Sequence, residues 1–344
     1  MKHLLPPVKY YKANLHTHST CSDGVLTPEQ LRDAYKEKGY SILAMTDHSY
    51  VVNHQDLNQE DFLMLTGTEI DLEELSETRK WGHLRVSHYC LISKKPENLW
   101  VPFKDPNPIP NSKAYEPTNE IGDCSREYSP ENANKVIEQC IKHDYLVTYN
   151  HPCWSLENYP DYAPLKGLWA MEYRNGGCIA EGYDEDNGRV YQDLLLLGNR
   201  LMPVCADDIH HPLHRGNDYP VLGDSFNMIG AKELTYDAVI EAMEKGDLYA
   251  SCGPEITCLT LDGANLHIEC SPAAKIQLVT QMRFAHLACA NEWDALLTQA
   301  DFDLTKWLNL CEDDRVAFFR LIVTDEKGRY AVTRAYHYDE VTKE

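Results

Sequence analysis

Along the first 250 residues the hydrophobic positions switch repeatedly between a spacing of two and a helical spacing, so strands and helices are predicted in turn. Residues 10–18 read as a strand. Thr27-Pro28-Glu29 then opens an amphipathic helix, with Thr27 as N-cap, Pro28 at the first helical position and Gly39 as the stop. Residues 41–46 form a short apolar run typical of a buried strand, and 62–66 and 86–92 predict two more. Ser129-Pro130-Glu131 starts a second helix by the same formula. Strands follow at 145–149, 168–173, 201–206 and 225–229, with helices at 190–198 and 236–245, the latter ended by Gly246. Repeated βα units imply an α/β fold on a parallel sheet, open or closed into a barrel.

Two stretches break this rhythm. Residues 94–128 hold six prolines and read as a long irregular insertion, which in a compact domain is usually functional or mobile. After about residue 250 the helices mostly stop: 256–261, 266–270, 276–280 and 318–323 alternate like strands. A hairpin-type turn, Asp325-Glu-Lys-Gly328, then leads into 330–335. Residues 293–311 fit an inserted helix or a loop, and the pattern leaves both open. The expected division is a catalytic unit over 1–250 and a β-rich unit over 251–344 packed on it.

Charge narrows the classes of partner. With 54 acidic against 32 basic side chains the formal net charge is −22, which opposes nonspecific binding to nucleic acid or an anionic membrane through a basic patch. A small phosphorylated substrate stays open, because bound metal ions reverse the sign locally. No apolar run approaches the length of a membrane helix, and the first 16 residues lack the apolar core of a signal peptide. The 12 cysteines include no Cys-x-x-Cys pair and read as reduced, mostly buried thiols, so a cytoplasmic location is expected.

Histidines gather at predicted strand ends: His16, His18, His48, His88, His151, His210 and His211. In parallel α/β folds the C-terminal strand ends form the active-site face. Residues two apart on a strand point the same way, so His16-x-His18 presents two imidazoles together, and Asp208-x-His210 a carboxylate with an imidazole. Mixed imidazole and carboxylate ligands suit zinc, manganese or iron, and without clustered cysteine a structural zinc knuckle is not expected.

These residues carry a family resemblance. Asn14-Leu-His16-Thr-His18-Ser-Thr-Cys-Ser22-Asp23-Gly24 resembles the first motif of the PHP (polymerase and histidinol phosphatase) superfamily, and Thr46-Asp47-His48 its second. Gly67-Thr-Glu69-Ile supplies the family glutamate, Asn150-His151-Pro152 resembles the third motif and Asp208-Ile-His210 the fourth, all in family order. Met171-Glu-Tyr-Arg-Asn175 and the segment Tyr249-Ala-Ser-Cys-Gly253-Pro254-Glu-Ile256 resemble further elements of stand-alone members.

The resemblance implies a distorted (β/α)7, TIM-like barrel with a small C-terminal β-rich unit. It also implies a centre of two or three divalent ions (Mn2+, Fe2+ or Zn2+) that hydrolyses phosphate esters. By the same resemblance, His16, His18, Glu69 and Asp208 would hold one ion, Glu69 would bridge to a second held by His88 and His151, and Asp23, His48 and His210 would hold a third. His83 competes with His88. Strand alternation turns Asp207 and Asp47 away from the ions, Asp47 to orient a ligand histidine. A hydroxide held by Glu69 and its neighbours would attack phosphorus. Arg174 and Arg215 are candidates for the remaining anion contacts, and His211 and His214 for leaving-group acid or substrate contact. A small phosphomonoester, such as a nucleotide or a sugar or amino-alcohol phosphate, is favoured. The alternatives are an amidohydrolase-like C–N hydrolase, which would normally add a strand-end lysine, and a non-catalytic metal-binding module.

Overall fold

The helix starts follow from local chemistry. In the computed structural model, the Thr27 side chain accepts from the Gln30 amide while Gln30 reaches back to the Thr27 N–H, and Pro28 occupies the first turn of the helix Pro28–Glu37. Ser129 caps Pro130–Lys142 through the Asn132 amide. Gly246, at φ +73°, ends Tyr236–Lys245 in the left-handed region where a Cβ is costly. The structure describes residues 1–74, 84–103, 120–213, 220–290, 295–312, 314 and 316–343.

The fold is mixed α/β. Eight strands lie in the order Met202–Ala206, Ala170–Asn175, Tyr145–Tyr149, Val86–Ser93, Leu63–Glu73, Ile42–Met45, Lys9–Asn14 and Phe226–Ala231. The expected all-parallel sheet is only partly found. Lys9–Asn14, Ile42–Met45 and Leu63–Glu73 run parallel, as do Tyr145–Tyr149, Ala170–Asn175 and Met202–Ala206. Val86–Ser93 and Phe226–Ala231 are each antiparallel to both strands they pair with. Glu73 pairs with Val86, so the chain returns along the strand it has just left instead of crossing over to run parallel. The strand expected over 62–66 also runs on to Glu73, because residues 67–73 find a partner in Val86–Ile92.

Flat, eight strands would set the first and last roughly 30–35 Å apart. They meet instead. The Asn227 amide donates to the Cys205 carbonyl (2.9 Å) and accepts from the Cys205 N–H (3.1 Å), bridging the two outermost strands. Every one of the eight strands contributes to one buried cluster, through Ala13, Ala44, Leu65, Ile92, Leu146, Ala170, Val204 and Ile229 among others. Replacing Asn227, which is fully buried, with alanine would leave the Cys205 amide and carbonyl without these partners. A loss of about 2–4 kcal/mol is expected in denaturant unfolding, with the midpoint shifting at constant slope.

The C-terminal segment is β-rich as expected, but it is not separate from the sheet. Leu248–Ser251 pairs with both Phe226–Ala231 and Tyr330–Thr333, which carries the ladder on to Phe318–Thr324, Lys275–Thr280 and His286–Cys289. A second sheet joins Ile256–Asp262, Asn265–Ala273 and Leu297–Asp303 to Lys2–His3, so the first residues of the chain belong with the last hundred. Residues 293–311 contain both a strand, Leu297–Asp303, and a helix, Thr305–Leu310, whose Trp307 is fully buried. Within 94–128, short strands Val101–Phe103 and Ile121–Cys124 pair, and residues 104–119 lie outside the described residues. Among the described residues no helix is long and apolar enough to cross a membrane. None of the twelve cysteines is in a disulfide, and seven are buried.

Candidate metal centre

One backbone contact assembles the two spaced pairs. Lys9–Asn14 ends before the histidines, yet the chain stays extended and Thr17 bridges Ile209, with His18 N–H donating to Ile209 O (3.0 Å) and Asp208 N–H to His16 O (3.2 Å). His16 and His18 flank Thr17 as Asp208 and His210 flank Ile209, so the bridge sets all four side chains around one point. Asp208 pays for this placement with φ +48°, a strained value for a non-glycine residue. A second bridge, His48 to Glu69, brings in the next ligand pair. His88 lies near the start of its strand, not its end; because that strand is antiparallel, its start opens on the same face.

The resulting distances are short. His16 Nε2 and His18 Nε2 are 3.0 Å apart; each is 3.3 Å from Glu69 Oε2 and 3.1 Å from Asp208 Oδ1. The other Glu69 oxygen, Oε1, lies 3.0 Å from His88 Nδ1 and 3.1 Å from His151 Nε2. Outward, Asp23 sits 3.4 Å from His210 Nε2, 3.7 Å from His48 Nε2 and 3.8 Å from His18 Nδ1. His48 also faces inward, its Nδ1 3.3 Å from Glu69 Oε2. Thus all nine sequence-predicted ligands converge. Seven of them line a cavity of about 460 Å3, with His16 and His18 buried beneath it.

The donor set fits divalent cations. Four nitrogen or oxygen atoms placed tetrahedrally ~2.0–2.1 Å from one centre lie roughly 3.3–3.4 Å from each other, close to the separations in the His16, His18, Glu69 and Asp208 group. Asp208 Oδ1 and His18 Nδ1 are buried without a hydrogen bond. Lone pairs facing lone pairs in the interior need a cation between them, and without a metal that cation is a proton. Burial works against charging His18 and His151, but Asp208 and Glu69 on His18, and Glu69 on His151, raise them to about 10 and about 9. Burial likewise disfavours the Glu69 and Asp208 carboxylates. His16, His88 and His48 around Glu69, and His16, His18 and His210 around Asp208, nonetheless hold both well below the usual carboxylate range. Burial, then the neighbouring His18, push His48 down to about 3, so it stays a neutral lone-pair donor.

Buried polar groups outside the cluster fix its geometry. Glu172 accepts from His16 Nδ1 (2.7 Å), from the His151 N–H (3.0 Å) and from Asn175 Nδ2 (2.9 Å), and Asn175 also donates to Asp208 Oδ2 (3.1 Å). This locks His16 with Nε2 turned to the cluster. Sequence reasoning marks Glu172 and Asn175 only as part of a family element; their roles follow from contacts between strands. Asp47 faces away from His48 as expected, but it holds a loop and not a histidine. Its oxygens accept from Ser19 N–H (2.7 Å), Ser19 Oγ (2.8 Å) and Ser22 Oγ (2.8 Å), shaping the segment that carries Asp23. A Cβ at Gly24 would strike the His18 carbonyl, which accounts for the glycine of that motif. Asp207 accepts from Tyr35 OH (2.8 Å) and the Ser225 N–H (2.8 Å), holding the strand end on which Asp208 stands.

Glu157 acts from further out. It accepts from Tyr149 OH (2.7 Å), Ser87 Oγ (3.0 Å) and Tyr128 OH (3.2 Å), gripping residues beside His88 and close to His151. Burial pushes its carboxyl up to about 7 despite these donors. A carboxyl raised above its unfolded value of ~4.3 stabilises the fold below that value, and the contribution fades as pH rises through 7. Glu157→Gln should therefore lower the melting temperature more at pH 5 than at pH 8, flattening the profile between them; equal shifts at both pH values would contradict the burial effect.

The predicted substrate contacts fare less evenly. Arg174 is not at the cavity: it is ion-paired to Asp224 (2.8 Å) and Asp186 (3.1 Å), which use its charge. His211 does line the cavity, and its Nδ1 accepts from the Leu213 N–H (3.2 Å). His83, His214 and Arg215 lie outside the described residues. The walls also include Trp154, Cys178 and Glu181, which no sequence signal singles out.

Over residues 14–186, just over half of the chain, the sequence matches the PHP domain family, and the protein belongs to that family. Asp208 and His210 lie beyond the matched span; the Thr17–Ile209 bridge is what joins them to it. Among solved structures, a two-domain protein from Bacteroides vulgatus containing a predicted PHP-like metal-dependent phosphoesterase is similar at 13% identity, with 98% of each chain covered and a TM-score of 0.41. A protein named as a metal-dependent phosphoesterase from Bifidobacterium adolescentis is 15% identical, over 60% of this chain and 92% of that one, at a TM-score of 0.37. An amidohydrolase from Chromobacterium violaceum, with bound sulfate and no metal, is 15% identical over 69% of this chain and 96% of that one, at 0.38. No curated protein matches.

Proposed function

We propose that this protein is a metal-dependent phosphoesterase acting on a small phosphomonoester at a centre of two or three divalent ions. The observation that carries the reading is Glu69: its two oxygens face different sets of imidazoles, as a carboxylate shared between two ions would. In this reading His16, His18, Glu69 and Asp208 hold one ion, Glu69, His88 and His151 a second, and Asp23, His48 and His210 a third. Divalent ions at such a centre lower the pKa of a bound water toward about 7 and offset charge on the phosphoryl oxygens. The chain itself supplies orientation and dryness. Glu172 and Asn175 hold His16 and Asp208, and the buried His16 and His18 close the cavity floor to water. His211 accepts a backbone N–H at Nδ1, which leaves Nε2–H to protonate the departing alkoxide at the cavity rim.

The catalytic unit of this reading is the distorted barrel of residues 1–250, with 251–344 as its β-rich companion. The Asn227 bridge between the outermost strands supports closure. Hydrolysis of a C–N bond would normally call on a strand-end lysine, and no lysine lines the cavity among the described residues.

Metal analysis of the purified protein, paired with hydrolysis of p-nitrophenyl phosphate and bis(p-nitrophenyl) phosphate in added Mn2+, tests the proposal. Two or three ions per chain with faster turnover of the monoester are expected. A chain that binds no metal after reconstitution, or that binds it and cleaves neither ester nor a wider phosphomonoester panel, would sink it.

A further inference from the structure

The charged groups around the cavity are unevenly arranged. Its floor is the histidine and carboxylate cluster; one wall is Trp154, Gly177, Cys178 and Glu181, and the rest is Val25, Val221 and His211. Among the described residues no lysine or arginine lines it. Of the two predicted anion-binding arginines, Arg174 is committed to Asp224 and Asp186, and Arg215 lies outside the described residues.

Among the described residues Glu181 is the one wall residue with a fixed charge, and it is exposed. Its Oε2 accepts from Trp154 Nε1 (3.2 Å), and no cation pairs with it among the described residues. The indole that carries this contact is itself anchored from beneath. The Trp154 N–H donates to the buried Glu185, and the ring packs 5.2 Å from His88 and 5.0 Å from His151, centroid to centroid. The indole thus packs on His88 and His151 of the cluster and holds Glu181 by a hydrogen bond on the cavity wall.

An ester whose phosphoryl group sits on the closed floor must direct its alcohol portion toward the cavity mouth. We propose that Glu181 is a specificity-determining residue that selects leaving groups by charge: it disfavours an alcohol bearing a second anionic group and accepts neutral or cationic alcohols that offer it a hydrogen-bond donor. This rests on the phosphoesterase reading above and adds to it the sign of the leaving group. A like charge within a few ångströms in a half-enclosed cavity lowers reactivity by roughly tenfold, more at low salt than at high.

The test uses three phosphomonoesters of similar size, followed by phosphate release from the Mn2+-loaded protein: glycerol 1-phosphate, O-phosphoethanolamine and 3-phosphoglycerate. The wild-type protein should show a kcat/KM for 3-phosphoglycerate roughly tenfold or more below the other two. Glu181→Gln should bring the three within roughly threefold, and Glu181→Lys should put 3-phosphoglycerate first. Ratios taken within one preparation cancel differences in folded or metal-loaded fraction. Equal rates on all three in the wild type, or ratios unmoved in both variants, would overturn the charge selection while leaving the phosphoesterase standing. If metal-loaded protein cleaves none of these and no p-nitrophenyl phosphate, both the activity and the inference built on it fall.

Discussion

Glu69→Gln should cost roughly 1000-fold or more in turnover and at least one bound metal ion per chain. Loss of a group that merely orients a ligand costs about 10–100-fold, and in the proposed centre Glu69 would be a ligand to two ions at once. Glutamine fills the same space, but its NH2 would point a donor at one imidazole set, where a carboxylate presents an acceptor to both. In the metal-free protein the substitution also removes the negative charge lying 3.0–3.3 Å from His16, His18, His48, His88 and His151. The imidazoles that are protonated there would be buried with less compensation, at a cost of about 3–5 kcal/mol. Metal content, p-nitrophenyl phosphate turnover and denaturant unfolding of the metal-free protein check the three parts separately. A variant that keeps its full complement of metal and its rate would remove Glu69 from the centre.

The second large effect is expected one layer out, at Glu172. This carboxylate touches none of the substrate-facing cavity; it holds the far nitrogen of His16, the backbone of His151 and the amide of Asn175. Glu172→Gln keeps the shape and loses the charge-assisted bond to His16, so metal affinity should fall about 10–100-fold with the fold intact. Glu172→Ala does more, because three buried donors lose their acceptor in a group that is 1% exposed. A destabilisation of about 3–5 kcal/mol is expected on top of the affinity loss. Competition against a chelator gives the affinity, and urea unfolding without metal gives the stability. Wild-type metal affinity in Glu172→Gln would mean that His16 is oriented by its strand alone.

Much of this centre was legible in the residues because its motifs are local. His16-x-His18 and Asp208-x-His210 announce themselves by a spacing of two, and the helices beginning at Pro28 and Pro130 by an N-cap followed by proline. Such signals depend on neighbours in the chain, so the chain alone displays them. Eight of the nine candidate ligand positions sit in the ordered motifs and His88 was added by the resemblance, in competition with His83; the structure brings all nine side chains together.

What the sequence could not decide were relations across the fold. Arg174 looked available for an anion because it follows a strand; Asp224, fifty residues later, takes its charge. Asp47 stands beside the candidate ligand His48 in the chain, but its oxygens accept from Ser19 and Ser22. The sheet direction was misread where a reversal replaced a crossover, and that same reversal is what sets His88 beside Glu69. Local propensity and hydrophobic period marked most of the strands and helices, spacing marked the two pairs His16-x-His18 and Asp208-x-His210, and the family resemblance supplied the other candidate ligands. Which strands meet, which buried carboxylate serves which imidazole, and the sign of the charge at the cavity mouth were decided only by tertiary structure. These are contacts between residues far apart in sequence, formed when burial forces each polar group to find a partner.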